Sequence, residues 1–240
     1  MRPVEKYRIG AIVQLEDGSC VTIKKQYNPY RDALSLLTNN FGTYCLYCEN
    51  SLHNCSLNNV EHIKDQSKHP GIKFYWGNFL LSCTTCNGRK SYKELKLYKI
   101  HMPHRNNTFK SFIYKAAGVV EVNPALTGNS YQNAQNLFKL IGYDELPKHG
   151  KDGRIEMRRV TWDKAIDFLN DYEKKETNLK YLIDYAKAQG GWSIWFTVFK
   201  DHPEVRKALI DEFPGTAKNC FDASNNFEPI NRNPYETDPI

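Results

Sequence analysis

This 240-residue chain has no apolar run near the ~18 residues that a membrane-spanning helix requires. Its opening residues, Met1 to Gly10, are polar and charged and lack the apolar core of a signal peptide. The two absences lead to the expectation of a cytoplasmic protein with no membrane association. No internal repeat is evident. An even cysteine count is also lacking. Seven cysteines fit poorly with a disulfide framework, which suits short secreted chains with even counts. A reduced compartment accommodates the spare thiols Cys20, Cys55 and Cys220. A strong charge of one sign is missing too. The chain carries 33 basic against 27 acidic residues, a net charge of +6 with a pI near 8.8. That balance permits a polyanionic partner without requiring one.

What is present suits a globular α+β protein of one large or two small domains. Hydrophobic residues make up 40% of the chain and charged residues 25%. Ala11–Leu15 and Cys20–Ile23 read as two strands around an Asp17-Gly18 hairpin turn. The alternative is an irregular arm wrapping the core. Ala33, Leu36, Leu37 and Phe41 recur at helical spacing and predict a helix over Pro29 to Phe41. Asn28 would cap it, Pro29 would open it and Gly42 would stop it. A basic, aromatic connector follows Ser91: Tyr92, Lys93, Lys96, Tyr98, Lys99, His101, His104, Arg105 and Lys110. It suits a nucleic-acid backbone or a solvated linker.

Beyond it, Phe112–Tyr114 and Val119–Val122 read as a strand pair around Gly118. A helix is expected over 130–142 with Ser130 as its cap, then a loop over 143–155. Thr161 begins a helical region that runs to about Gln189, where Gly190-Gly191 breaks it. Trp192 to Phe199 reads as a buried helix, or as a docking surface. Pro203 to Phe213 reads as a last helix. The tail from Ala223 to Ile240 is polar and reads as poorly ordered. These elements give an N-terminal arm and helix (1–43), a metal-stapled module (44–105), a mainly helical region (106–222) and a flexible tail (223–240).

Chemistry concentrates between Cys45 and Lys90. Cys45-Leu46-Tyr47-Cys48 and Cys83-Thr84-Thr85-Cys86 form two CxxC pairs, the ligand set of a tetrahedral zinc site. Four thiolates leave no open position for water, so this zinc is expected to be structural. His53 or Cys55 could substitute for one ligand. Residues 49–82 separate the pairs, more than the roughly 15–20 residues of a common zinc ribbon. That insert holds Glu61-His62. Hydrolysis of a phosphodiester needs a base to take a proton from water and a cation to balance charge at phosphorus. Histidine suits the first task, and a hard divalent ion held by carboxylate and amide oxygens suits the second. Neighbours in a strand point to opposite faces, so Glu61 and His62 can share a site only at a strand end or bend. Read alone, His62 is equally an ordinary surface or core histidine.

The ordered set is Cys-x-x-Cys, then Glu61-His62-Ile63-Lys64-x-x-Ser67, then Trp76-Gly77-Asn78-Phe79-Leu80-Leu81-Ser82-Cys-x-x-Cys-Asn87-x-x-Lys90. It resembles the HNH endonuclease motif over about residues 41–92. The resemblance implies a zinc-stapled ββα-metal module with His62 as general base. It implies Glu61 and Asn87 as ligands of a catalytic divalent ion, magnesium or another, and Asn78 as a brace for the loop holding the base. Lys64, Arg89 and Lys90 fall at positions able to contact nucleic acid. Asn87 stands where histidine is common, and it favours magnesium over imidazole-preferring metals. Asp65 stands where relatives carry proline, and His69 lies on the turn that follows.

A weaker similarity runs through Met1-Arg2-Pro3-Val4-Glu5-Lys6, Tyr30–Ala33 and Asn40–Glu49. It resembles the HNH subunit of Septu anti-phage systems, which works with an ATPase partner. The expectation is a metal-dependent DNA endonuclease in a defence complex. The alternatives are a stand-alone restriction-type nuclease and a non-catalytic zinc module that binds nucleic acid or protein.

Overall fold

The computed structural model describes residues 1–52, 59–91, 93–143 and 153–232. His53, Cys55 and Tyr92 lie outside these residues, as do most of the 143–155 loop and the last eight residues of the tail. The Asp17-Gly18 signal holds. Strands β1 (Ile12–Gln14) and β2 (Cys20–Thr22) pair antiparallel with Val13 opposite Val21. The helix expected from Pro29 is tighter at its start. Pro29 is extended (ψ 152°), Tyr30–Ala33 form a 3-10 turn, and α1 covers Leu34–Phe41. Asn28 is therefore not its cap. Leu36, Leu37 and Phe41 are buried, as the apolar spacing requires.

A ββα unit follows. Strands β3 (Asn59–His62) and β4 (Phe79–Ser82) pair antiparallel, with Glu61 opposite Leu80 and His62 opposite Phe79. Helix α2 (Thr84–Lys90) leaves β4 after a single residue, Cys83. Strands β5 (Phe112–Tyr114) and β6 (Val120–Val122) form the second expected hairpin. Helix α3 spans Gly128–Leu140 with Thr127 at its N-cap, so Ser130 lies inside the first turn rather than capping it.

Helix α4 spans Arg154–Glu173 and starts two turns before Thr161. It does not run on to Gln189. The chain breaks near Lys175 (φ 62°) and restarts as α5 (Leu179–Gln189), where Asn178 Oδ1 accepts from Tyr181 N at 2.9 Å. Helix α6 (Trp192–Val198) is buried. The rings of Trp192 and Phe196 stack at 4.6 Å, and Trp192 Nε1 donates to Leu209 O at 2.9 Å. Its aromatics form core, so the docking-surface reading of this stretch fails. Helix α7 covers Pro203–Glu212.

The tail is not loose up to Arg232. Strands β7 (Phe221–Asp222) and β8 (Glu228–Pro229) pair, Arg206 Nη1 meets Glu228 Oε1 at 2.7 Å, and buried Arg232 donates to Val4 O at 2.7 Å. Buried Arg2 gathers the N-terminal arm in the same way, donating to Phe41 O at 2.8 Å and Pro214 O at 2.7 Å.

Two glycines allow close approaches, one between the cysteine module and the end of α5, the other between the β5–β6 turn and α4. Gly190 has φ +80°, and a Cβ there would stand 2.6 Å from Glu49 O. Gly118 has φ +73°, and a Cβ would stand 2.2 Å from Ile155 O. Only glycine fits both the conformation and the space. One continuous set of buried side chains runs from α1 through the cysteines to α6 and α7.

The connector divides. Lys93, Lys96 and Lys99 stay exposed while His101 turns inward, with Nδ1 2.9 Å from Ser111 Oγ. It lines a small cavity that also holds Lys110 and Arg232. Burial pushes the His101 imidazole down to about 4 from an ordinary 6.5. The folded state thus resists a proton that the unfolded chain accepts below pH 6.5. His101 costs no stability above that pH, and stability drains away as pH falls from 6.5 toward 4, by up to about 3 kcal/mol. His101→Gln is expected to flatten that part of the curve. Denaturant melts of parent and variant at pH 7.5 and 4.5 measure it, and equal losses on acidification refute it.

Candidate functional site

The cysteines come together. Cys45, Cys48, Cys83 and Cys86 are all buried, and their sulfur atoms lie within 4.8 Å of one another. The Cys48–Cys83 Sγ separation is 3.8 Å. With Zn–S bonds of about 2.3 Å, a tetrahedron has sulfur–sulfur edges of about 3.8 Å. Three features prepare the group for a cation. Cys83 Sγ accepts from Cys86 N at 3.3 Å at the N-cap of α2, where the helix dipole favours a thiolate. Buried Arg154 points Nη1 at Cys86 Sγ, 3.5 Å away. Hydrogen bonds from Cys45 and its neighbours drive the Cys83 thiol far down, while Cys48 and Cys86 are pushed up by the same crowding. Four sulfurs this close cannot all ionise without a positive centre. The cluster can hold a metal ion such as zinc, and among the described residues no other group of three or more His, Cys, Asp or Glu side chains could do so.

Glu49, next to Cys48, anchors the cluster to the helical half. Its carboxylate accepts from Ser193 Oγ at 2.7 Å, Ser193 N at 3.0 Å and Arg2 N. The sequence pattern gave no sign of this role.

Beside the cluster, the ββα unit walls a cleft of about 650 Å³, lined among others by Tyr30, Glu61, His62, Asp65, Asn87 and Lys90. Glu61 and His62 share it because β3 ends at His62. His62 Nε2 lies 2.9 Å from Lys73 O. A carbonyl only accepts, so Nε2 carries the proton and Nδ1 keeps its lone pair. Tyr30 and Phe79 pack edge-on to the ring, with centroids at 4.8 and 5.3 Å. Burial pushes the His62 imidazole below its ordinary value, which keeps the ring neutral at pH 7. Asn78, fully buried, accepts from Lys64 N at 2.8 Å and donates to Lys64 O at 3.0 Å. It clamps the loop that leaves His62.

Glu61 is almost fully buried, and burial pushes its carboxyl up to about 7 against the pull of Lys90. Lys90 Nζ stands 2.9 Å from Glu61 Oε1 and donates to His62 O at 2.6 Å. This buried ion pair gives Glu61 Oε1 a cationic partner. Gln66 Oε1, also at the cleft, is buried without a partner among the described residues. The amide of Asn87 lines the same cleft as the ion-paired Glu61.

The other expected contacts are engaged by the protein itself or lie away from the cleft. Lys90 is not a solvent-facing phosphate contact but the buried counter-ion of Glu61. Arg89 packs toward Gly142, and neither it nor Lys64 lines the cleft. Asp65 Oδ1 accepts from Ser67 N at 3.0 Å and Lys68 N at 3.2 Å, so it shapes the loop. His69 lies 2.9 Å from Glu94 Oε1 and does not line the cleft.

Among the described residues, no helix is long and apolar enough to cross a membrane. No protein-family model matches the chain, and no curated protein matches it.

Proposed function

We propose that this chain is a metal-dependent HNH endonuclease that hydrolyses DNA phosphodiester bonds at the cleft between β3, β4 and α2. The observation that carries the proposal is the pose of His62. Its Nε2 is committed to Lys73 O, so Nδ1 is the available base, in a cleft that also holds Glu61 and Asn87. In this reading Nδ1 takes a proton from water as the oxygen attacks phosphorus. The P–O bond to the leaving oxygen breaks, and that oxygen is reprotonated from solvent. Asn78 and Lys73 O hold the ring in place. Glu61 and Asn87 would hold a divalent ion, magnesium by the oxygen character of the donors, which when bound balances charge on the phosphate. Zinc in the four-cysteine cluster has a structural role.

The proposal includes an ATPase partner and a role as the nuclease effector of an anti-phage complex. It rests there on the Septu-like stretches Met1–Lys6, Tyr30–Ala33 and Asn40–Glu49.

One observation favours a second reading. Glu61 already has a resident cation in Lys90, as a non-catalytic zinc module would allow. Incubating the purified chain with supercoiled plasmid separates the two. Nicking is expected with magnesium and not without a divalent ion. Intact plasmid with magnesium and with manganese, with and without the ATPase partner, overturns the proposal.

A further inference from the structure

Two residues past the rim of the cleft the chain enters a second groove. Ser91 lines the cleft and Lys93 lines the groove, so the two rims are at most about 7 Å apart along the backbone. The groove, about 390 Å³, lies between the segment 93–100 and α3. Its floor is apolar and fixed, with Leu95, Ile100 and Leu140 all buried. Its walls carry Lys93, Lys96, Lys99 and Lys139, all exposed. Asn136 Nδ2 donates to Lys99 O at 2.7 Å and fastens this rim to α3.

None of these four ammonium groups lies within 4 Å of a carboxylate among the described residues. Glu94, the acid in the same lining, is engaged by His69 at 2.9 Å. Several surface lysines elsewhere are paired: Lys115 with Glu121, Lys180 with Asp184, Lys207 with Asp211. A net charge of only +6 does not force four unpaired lysines into one groove. Such a cluster repels itself, and a polyanion with charges spaced along a track relieves the repulsion.

We infer that this groove is a phosphate track for the DNA arm flanking the bond cut in the cleft. The lysines bind backbone without reading sequence, and they set the register of the duplex over His62. Tyr98, 73% exposed with Lys99 Nζ 5.7 Å from its ring, borders the track. The inference rests on the nuclease reading, and the test below tells the two failures apart.

The experiment compares the full chain with the triple variant K96Q/K99Q/K139Q. A fluorescein-labelled 30-base-pair duplex is titrated by anisotropy between 50 and 200 mM salt, without added divalent ion. Removing three phosphate contacts is expected to weaken binding about tenfold or more and to lower the salt slope by about 2 to 3. Thermal melting should stay unchanged, because the side chains are exposed. Equal affinity and equal salt slope in the two proteins overturn the track, even if both cut. A lower slope in a protein that never cuts keeps the track and removes the nuclease chemistry. If the parent binds no duplex but binds an acidic polypeptide such as polyglutamate through these lysines, the track is also overturned.

Discussion

Replacing Cys83 with serine is expected to empty the four-sulfur cluster and unfold the cysteine module. The serine hydroxyl is a poor replacement for a thiolate ligand, and Cys83 does more than ligate. It caps α2 by accepting from Cys86 N, and it sits 3.8 Å from Cys48 across the tetrahedral edge. A structural zinc site contributes about 10–16 kcal/mol in small peptides, comparable with the roughly 5–15 kcal/mol of a whole domain. The damage should spread. Glu49 joins the knuckle to the start of α6, Arg154 joins α4 to Cys86, and Tyr143 joins the end of α3 to Tyr47 O. Elemental analysis should find about one zinc per parent chain and none in Cys83→Ser. The variant should melt more than 10 °C lower or precipitate. Exposed Cys20 provides the control, since Cys20→Ser should change neither quantity. A Cys83→Ser protein that melts with the parent, or a parent that folds without metal, refutes the structural role.

Features that depend on neighbouring residues were legible in the sequence. The β1–β2 hairpin follows from Asp17-Gly18, the end of α5 from Gly190-Gly191, and the cysteine cluster from CxxC spacing alone. What stayed hidden depends on partners far along the chain. The first two turns of α4 look polar because Arg154 and Arg158 face inward, where they donate to Ile141 O at 2.7 Å and Gly118 O at 2.8 Å. A buried arginine reads as surface until its carbonyl is known. The break between α4 and α5 was hidden by apolar residues that stay in helical phase across it, and Asn178 was its only signal. Lys90 read as a phosphate contact because the motif it resembles has a basic residue there, and such a residue is normally exposed. Its partner Glu61 becomes adjacent only through β3 and α2. The tail looked disordered by composition, yet Arg206 and Arg232 fasten it as far as the described residues go.

Replacing His62 is expected to cost the proposed reaction about 10²–10⁴-fold, the usual contribution of a positioned base. Two substitutions separate chemistry from packing. His62→Ala removes the ring that packs on Tyr30 and Phe79 and donates to Lys73 O. It therefore loses the base together with some packing. His62→Gln keeps an amide N–H able to donate to Lys73 O but has no group that accepts a proton near neutral pH. Both variants should retain zinc and fold, because the four cysteines and the α6 core do not use His62. If position alone mattered, His62→Gln would nick plasmid close to the parent rate while His62→Ala would not. If Nδ1 is the base, both lose activity alike, and added imidazole can restore part of it in the cavity left by His62→Ala. A His62→Gln protein that nicks at the parent rate would remove His62 from the chemistry. Lys90, which pairs with Glu61 in the same cleft, would then be left to explain the cutting.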